Sequence, residues 1–147
     1  MSEPAASSLS PGYFLKDGAP PPADYLQLRV RSGLSPKTEE QARAAVSGSW
    51  AACHVVHETE ARCVAMGRVI GDGGWYFHIV DIAVLPKHQR RGLGSAVLVY
   101  LLEQIRHRAP HGAYVSLLAD PPGRHLYARS GFLESAPESV GMVLTLD

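Results

Sequence analysis

Cysteine is scarce in this chain: only Cys53 and Cys63 occur. They fit no Cys-x-x-Cys metal spacing, and two thiols make at most one disulfide, so neither a zinc ribbon nor a disulfide framework underlies the fold. Two reduced, buried thiols are the expectation. Net charge is lacking as well, because Lys+Arg and Asp+Glu both number 14. A general nucleic-acid binder carries a basic surface, so no nucleic-acid partner is expected, although the balance leaves room for a local basic patch. No run of about 20 apolar residues occurs, so no membrane-spanning helix is expected. The stretch Met1 to Gly12 has Glu3 as its only charged side chain and neither a basic start nor an apolar core. It reads as a flexible tail rather than a secretory signal, and the protein as cytoplasmic.

What is present is a globular composition, with 46% hydrophobic and 19% charged residues in a chain of 147. That length suits one domain, taken as residues 13–147. Tyr13–Lys16 reads as a short strand and Ala23–Arg31 as a helix that Gly33 ends. Ser35-Pro36 reads as the start of a second helix running to about Val46. Trp50–Val56, Cys63–Ile70 and Trp75–Val84 read as strands of a meander, with a hairpin turn at Gly71-Asp72-Gly73-Gly74. After Gly94, Val97, Leu98, Leu101, Leu102 and Ile105 recur at helical spacing. Ala113–Leu118 reads as a strand, Gly123–Ser130 as a short helix and Val140–Leu146 as a last strand. Strands mixed with helices and no long linker indicate a single α/β or α+β unit.

The informative feature is the order strand, proline, basic glycine loop, helix. Gly92 and Gly94 carry no side chain, so the backbone there can approach an anion closely. The helix that follows points unpaired N–H groups and the positive end of its dipole at the loop. Gln89, Arg90 and Arg91 add donors and charge, Leu93 and Ser95 complete the segment, and together they suit a pyrophosphate. A P-loop is excluded because Ser95 follows Gly94 with no lysine between them. A dinucleotide fingerprint is excluded because Val97 stands where its third small residue belongs and the loop does not directly follow the strand. A glycine-rich helix start with a solvated charge cluster is the bland alternative.

Ile82-Ala83-Val84-Leu85-Pro86-x-x-Gln89-x-x-Gly92-x-Gly94 resembles the signature of the GCN5-related N-acetyltransferase (GNAT) superfamily. Downstream, Leu126-Tyr127-Ala128-Arg129-Ser130-Gly131-Phe132 is similar to that family's Leu-Tyr-x-x-x-Gly-Phe segment. The resemblance covers about Arg62 to Phe132. It implies an α/β (α+β) GNAT fold: a mixed, mostly antiparallel sheet flanked by helices and splayed between the strands at Trp75–Val84 and Ala113–Leu118. It further implies acetyl-CoA as acyl donor in that gap. The backbone of Ile82, Ala83 and Val84 would pair with the pantetheine arm like an added strand, and Gln89 to Ser95 would hold the pyrophosphate. Tyr127 would protonate the departing thiolate. Asp120 stands where the family often has asparagine; an ionised carboxylate accepts hydrogen bonds but cannot donate them, which departs from the family pattern at a cofactor contact.

Amine acylation needs a neutral amine, and an alkylammonium titrates near pH 10, so a base must take its proton. The resemblance brings one base position to His78, and Asp81 is the other candidate on that strand. Three residues apart, they face opposite sides of a regular strand unless a bulge intervenes; His78, Asp81 and water stay open. His54 and His57 are also on opposite faces, and no metal site is expected. His88, His107, His111 and His125 are expected to be solvated, with His88 and Arg90 near the 3′-phosphate of CoA. The acceptor pocket implied by the family comprises Tyr25, Arg29, Ser32, Gly33 and Leu34, with Trp75 and Tyr76 across the gap. The reading is transfer of an acetyl group to a primary amine of a small molecule. An acyl-CoA sensor without turnover, and a protein lysine or N-terminal acetyltransferase, are the alternatives. Two copies pairing through the C-terminal strands is a further expectation.

Overall fold

Five segments pair into one sheet in the computed structural model, which describes residues 9–147. The strands are β1 (Tyr13–Asp17), β2 (Ala51–His57), β3 (Ala65–Gly71), β4 (Tyr76–Val84) and β5 (Tyr114–Ser116), in spatial order 1-2-3-4-5. β1 to β4 are antiparallel to their neighbours, whereas β5 lies parallel to β4. Four helices accompany them: α1 (Pro22–Arg31), α2 (Glu39–Ser47), α3 (Leu93–Arg108) and α4 (Arg124–Arg129). The chain divides into two compact units, one ending at Leu117 and the other Leu118–Asp147. No helix among the described residues is long and apolar enough to cross a membrane.

The apolar face read for the long helix is the face that packs. Val97, Leu98, Leu101 and Ile105 of α3 are buried with Cys53, Val55 and Val69 of β2 and β3. Close approach is possible because β3 carries Gly67, where a Cβ would stand 2.5 Å from Val97 Cγ1 and 3.0 Å from Leu101 Cδ1. Both cysteines are free and buried, and burial pushes their thiols up to about 12, which keeps them unreactive.

Two elements differ from expectation. α2 begins at Glu39, not at Ser35-Pro36, because Thr38 and Gln41 form a capping box: the Thr38 hydroxyl accepts from the Gln41 N–H and the Gln41 side chain accepts from the Thr38 N–H. The strand expected at Val140–Leu146 does not form. Apolar, β-branched residues make a strand only where a ladder receives them, and this segment pairs with no strand among the described residues.

The sheet is irregular where it matters most. Arg68 pairs with Val80 and Met66 with Ala83, so Gly67 of β3 faces two residues of β4, a bulge. Asp81 takes the left-handed conformation there, φ 60°. β4 pairs with β5 only over Tyr76–His78, so from Ile79 onward its second edge has no strand partner among the described residues.

Candidate active site

The bulge decides what Asp81 can do. Arg68 and Val80 are cross-strand neighbours on one face, and His78 lies two residues before Val80 on that face. The extra residue turns Asp81 to the same side, where Arg68 Nε donates to its Oδ2 at 2.7 Å, Arg29 Nη1 to its Oδ1 at 2.5 Å and the Tyr25 hydroxyl to Oδ2 at 2.5 Å. The opposite-face expectation for 78 and 81 is thereby corrected. Burial alone would raise the Asp81 pKa, but the hydrogen bonds from Tyr25 and Arg68 and the two guanidinium charges outweigh it and hold the carboxyl below its ordinary range. A carboxylate bound three times and held ionised is a poor proton acceptor, so the structure sets Asp81 apart from the base role.

The same network revises the acceptor pocket. Tyr25 and Arg29 are buried, not open to a ligand, and both polar ends go to Asp81. Arg29 also donates to the Ser35 carbonyl and hydroxyl, and Arg68 to the Ala45 carbonyl in the last turn of α2, where a cation suits the helix dipole. Ser32 donates to the Arg29 carbonyl, which ties it to the end of α1. Gly33 turns the chain at φ 92°, and Leu34 follows with its N–H on the Arg29 carbonyl. Arg29 and Arg68 thereby fasten α1 and α2 to the sheet.

His78 has different surroundings. Its Nδ1 lies 2.8 Å from Ser116 Oγ on β5, and Ser116 Oγ lies a long 3.5 Å from the Tyr76 hydroxyl. In the tautomer with Nδ1–H donating to Ser116 Oγ, the Nε2 lone pair is available. Burial lowers the His78 pKa, so the ring is neutral at neutral pH. Trp75, Tyr76 and Tyr114 are exposed beside it, their rings 5.4 to 6.5 Å apart in tilted or edge contacts. Tyr114 and Ser116 were not singled out from the sequence. The strand at 113–118 was legible, but its register with β4 is a tertiary fact.

The glycine loop is built as a cradle. Pro86–His88 forms a 3-10 turn after β4, and Gln89 Nε2 donates back to the Val84 carbonyl at 3.1 Å. The Gln89 side chain therefore holds the loop to β4. Arg90 (φ 62°) and Gly92 (φ 79°) are left-handed. Gly92 caps α3 with no side chain on the first-turn donors, so the N–H groups of Leu93, Gly94 and Ser95 stay open at the positive end of a 16-residue helix. Arg90, Arg91 and Ser95 are exposed around them, while Leu93 is buried and anchors the turn. This donor set fits a diphosphate, and the unpaired edge at Ile82, Ala83 and Val84 fits an extended amide-bearing arm.

In the second unit, Gly123 leaves room for the Tyr127 ring, since a Cβ there would stand 2.7 Å from Tyr127 Cε2. Phe132 lies edge-on to that ring, and its N–H bonds the Tyr127 carbonyl after Gly131 (φ 98°) closes α4. Burial, and then the Asp120 charge, raise the Tyr127 pKa above its ordinary value. Asp120 itself is exposed ahead of the turn Pro121–Gly123.

A substituent at Gly92 would meet nothing within 4 Å but would sit in a left-handed residue beside the open donors. Gly92→Val is expected to weaken CoA binding by about 10- to 100-fold, or ~1.4 to 2.7 kcal/mol, measured by titration calorimetry. Unchanged affinity would show that no phosphate sits there.

The model of the acetyltransferase (GNAT) family matches residues 23–132. A chloroplastic GCN5-related N-acetyltransferase of Arabidopsis thaliana is 33% identical over 60% of this chain and 44% of its own length. The chain spans about half the length of the curated relatives it matches, 44% to 48%. A solved structure from meticillin-resistant Staphylococcus aureus, described as a probable acetyltransferase of unknown function, is 36% identical, covers 91% of this chain and 99% of its own, and superposes with a TM-score of 0.85. A GNAT-family protein of Streptococcus pneumoniae, 24% identical with a TM-score of 0.71 over 91% of this chain and 98% of its own, shares the fold. The extent of the family match, and the near-complete overlap with a 36% identical structure, show that this chain belongs to the GNAT acetyltransferase family.

Proposed function

We propose that the chain transfers an acetyl group from acetyl-CoA to a primary amine of a small molecule by direct attack, with His78 as base and Tyr127 as acid. The observation that carries this reading is the neutral His78 at the point where β5 leaves β4, beside exposed aromatic rings and at the head of an unpaired strand edge that leads to the phosphate cradle. Acetyl-CoA, when bound, supplies the thioester. The first-turn N–H groups of α3 and the Arg90 and Arg91 charges hold its diphosphate, and the edge of Ile82–Val84 takes the arm. His78 Nε2 accepts the amine proton, directly or through water, while Ser116 holds the tautomer. The Tyr127 hydroxyl donates its proton to the sulfur as the carbon–sulfur bond breaks. Trp75, Tyr76 and Tyr114 give the acceptor an aromatic surface to pack on.

An amine panel assayed by release of free thiol tests the reading. Turnover with small primary amines is expected. Tight CoA binding with no turnover across the panel would favour a sensor, and turnover only with peptides would favour a protein acetyltransferase. His78→Gln is expected to lower kcat/KM by about 100-fold. The wild-type pH profile should carry two rising limbs. The lower falls below about pH 6.5, because burial depresses the His78 pKa; the upper follows the amine. His78→Gln should abolish only the lower limb, and its persistence in that variant would remove His78 from the chemistry.

A further inference from the structure

His88 directly precedes the cradle residues, in a run of polar side chains, yet it is only 7% exposed. The expectation of a solvated ring is thereby overturned. Its Nδ1 lies 2.7 Å from the hydroxyl of Tyr13, itself 6% exposed at the start of β1, and its Nε2 lies 3.1 Å from Glu60 Oε1 in the turn after β2. With the phenol donating to Nδ1 and Nε2–H donating to the carboxylate, each ring nitrogen has one partner and the tautomer is fixed. His57, which pairs with Tyr13 across β1 and β2, packs its ring 4.4 Å from the Tyr13 ring and 5.4 Å from that of His88. The 3-10 turn that opens the cradle is thus tied across the sheet, from the end of β4 to β1 and to the turn beyond β2.

The tie has a mechanical consequence. Two residues beyond His88, Arg90 adopts a left-handed conformation that is unfavourable for a non-glycine residue. Such a conformation persists only where its surroundings fix it. On the carboxyl side Leu93 is buried; on the amino side the fixed points are the Gln89–Val84 bond, exposed to solvent, and the buried His88.

We infer that His88, clamped by Tyr13 and Glu60, is a positioning residue that preforms the cradle and so sets affinity for the diphosphate of the donor. This rests on the cradle being the diphosphate site. The role requires the effect of losing His88 to depend on whether the ligand carries a diphosphate, which damage to the scaffold would not.

The experiment measures Kd for CoA and for pantetheine, which has no diphosphate, in the full chain by titration calorimetry. His88→Ala is expected to weaken CoA by about 10-fold or more and to leave pantetheine within about twofold. Tyr13→Phe, which removes one hydroxyl and keeps the ring packing, is expected to weaken CoA by about three- to fivefold, the size of one hydrogen bond. The double variant should bind CoA as His88→Ala does, because the two act as one clamp. Equal losses for both ligands, or CoA affinity unchanged in both variants, would overturn the inference. If the wild type itself binds CoA no better than pantetheine, the cradle reading fails first and the inference with it; if the wild type discriminates and the variants discriminate equally well, only the inference fails.

Discussion

Tyr127→Phe is expected to lower kcat by about 100-fold or more while leaving the Kd for acetyl-CoA within about twofold. The substitution removes one hydroxyl and keeps the ring that packs over Gly123 and beside Phe132. The folded unit therefore has little reason to change. The lost proton donor matters because an alkyl thiolate is a charged leaving group, and an acid that shares its proton as the carbon–sulfur bond stretches stabilises the transition state more than the ground state. Burial and the Asp120 carboxylate both raise the phenol pKa, so Tyr127 keeps its proton across the working range. The wild type should accordingly show no alkaline loss from this group up to about pH 10. Replacing Asp120 by asparagine removes one of those two causes and should bring such a loss to lower pH. Thiol release under saturating donor, with calorimetry for Kd, separates the two quantities. Full kcat in Tyr127→Phe would remove the assigned acid.

The sequence carried the order of elements because periodicity is a local signal. The apolar stripe from Val97 to Ile105 and the apolar, β-branched runs of β2 to β4 each lie within one element, and the stripe packs as its spacing implies. The two motifs were legible for a similar reason: a glycine loop opening a helix, and Leu-Tyr before Gly-Phe, are short and contiguous. What stayed hidden depends on register and on distant partners. A bulge needs the pairing of Arg68 with Val80 and Met66 with Ala83, and alternation along β4 alone cannot reveal it. The Asp81 backbone is left-handed although the residue is not glycine, so no turn signal announced it.

Burial of charged and polar groups was hidden in the same way. Arg29 reads as one basic residue on a short helix, and only the placement of α1 over β4 shows it bound to Asp81. His88 stands among lysine, glutamine and arginine, and its Tyr13 partner is 75 residues away in sequence. The missing strand at Val140–Leu146 shows the converse: local pattern proposes a strand, and a pairing edge must complete it.

Asp81→Asn is the prediction that separates a structural carboxylate from a chemical one. Asparagine keeps the shape and tolerates the left-handed backbone nearly as well as aspartate, so the change isolates charge. It leaves Arg29 and Arg68, whose side chains are 8% and 14% exposed, facing each other without their common counter-ion. Removing one partner of a buried ion pair costs about 3–5 kcal/mol. A folded chain has roughly 5–15 kcal/mol in all, so a fall in Tm on the order of 10 °C is expected. The pH dependence has a definite sign. Because the folded pKa of Asp81 lies below its unfolded value, its contribution is complete above about pH 4 and is lost as pH falls through the folded pKa. The wild type should therefore lose stability at acid pH, and Asp81→Asn should show a smaller acid loss from a lower plateau. At a temperature where the variant is folded, its remaining activity should keep the lower pH limb assigned to His78. A variant with unchanged Tm and collapsed kcat would reverse the assignment and return Asp81 to the chemistry. The geometry argues against that outcome, because both carboxylate oxygens of Asp81 already accept from Tyr25, Arg29 and Arg68, whereas His78 keeps a ring nitrogen with no hydrogen-bond partner among the described residues.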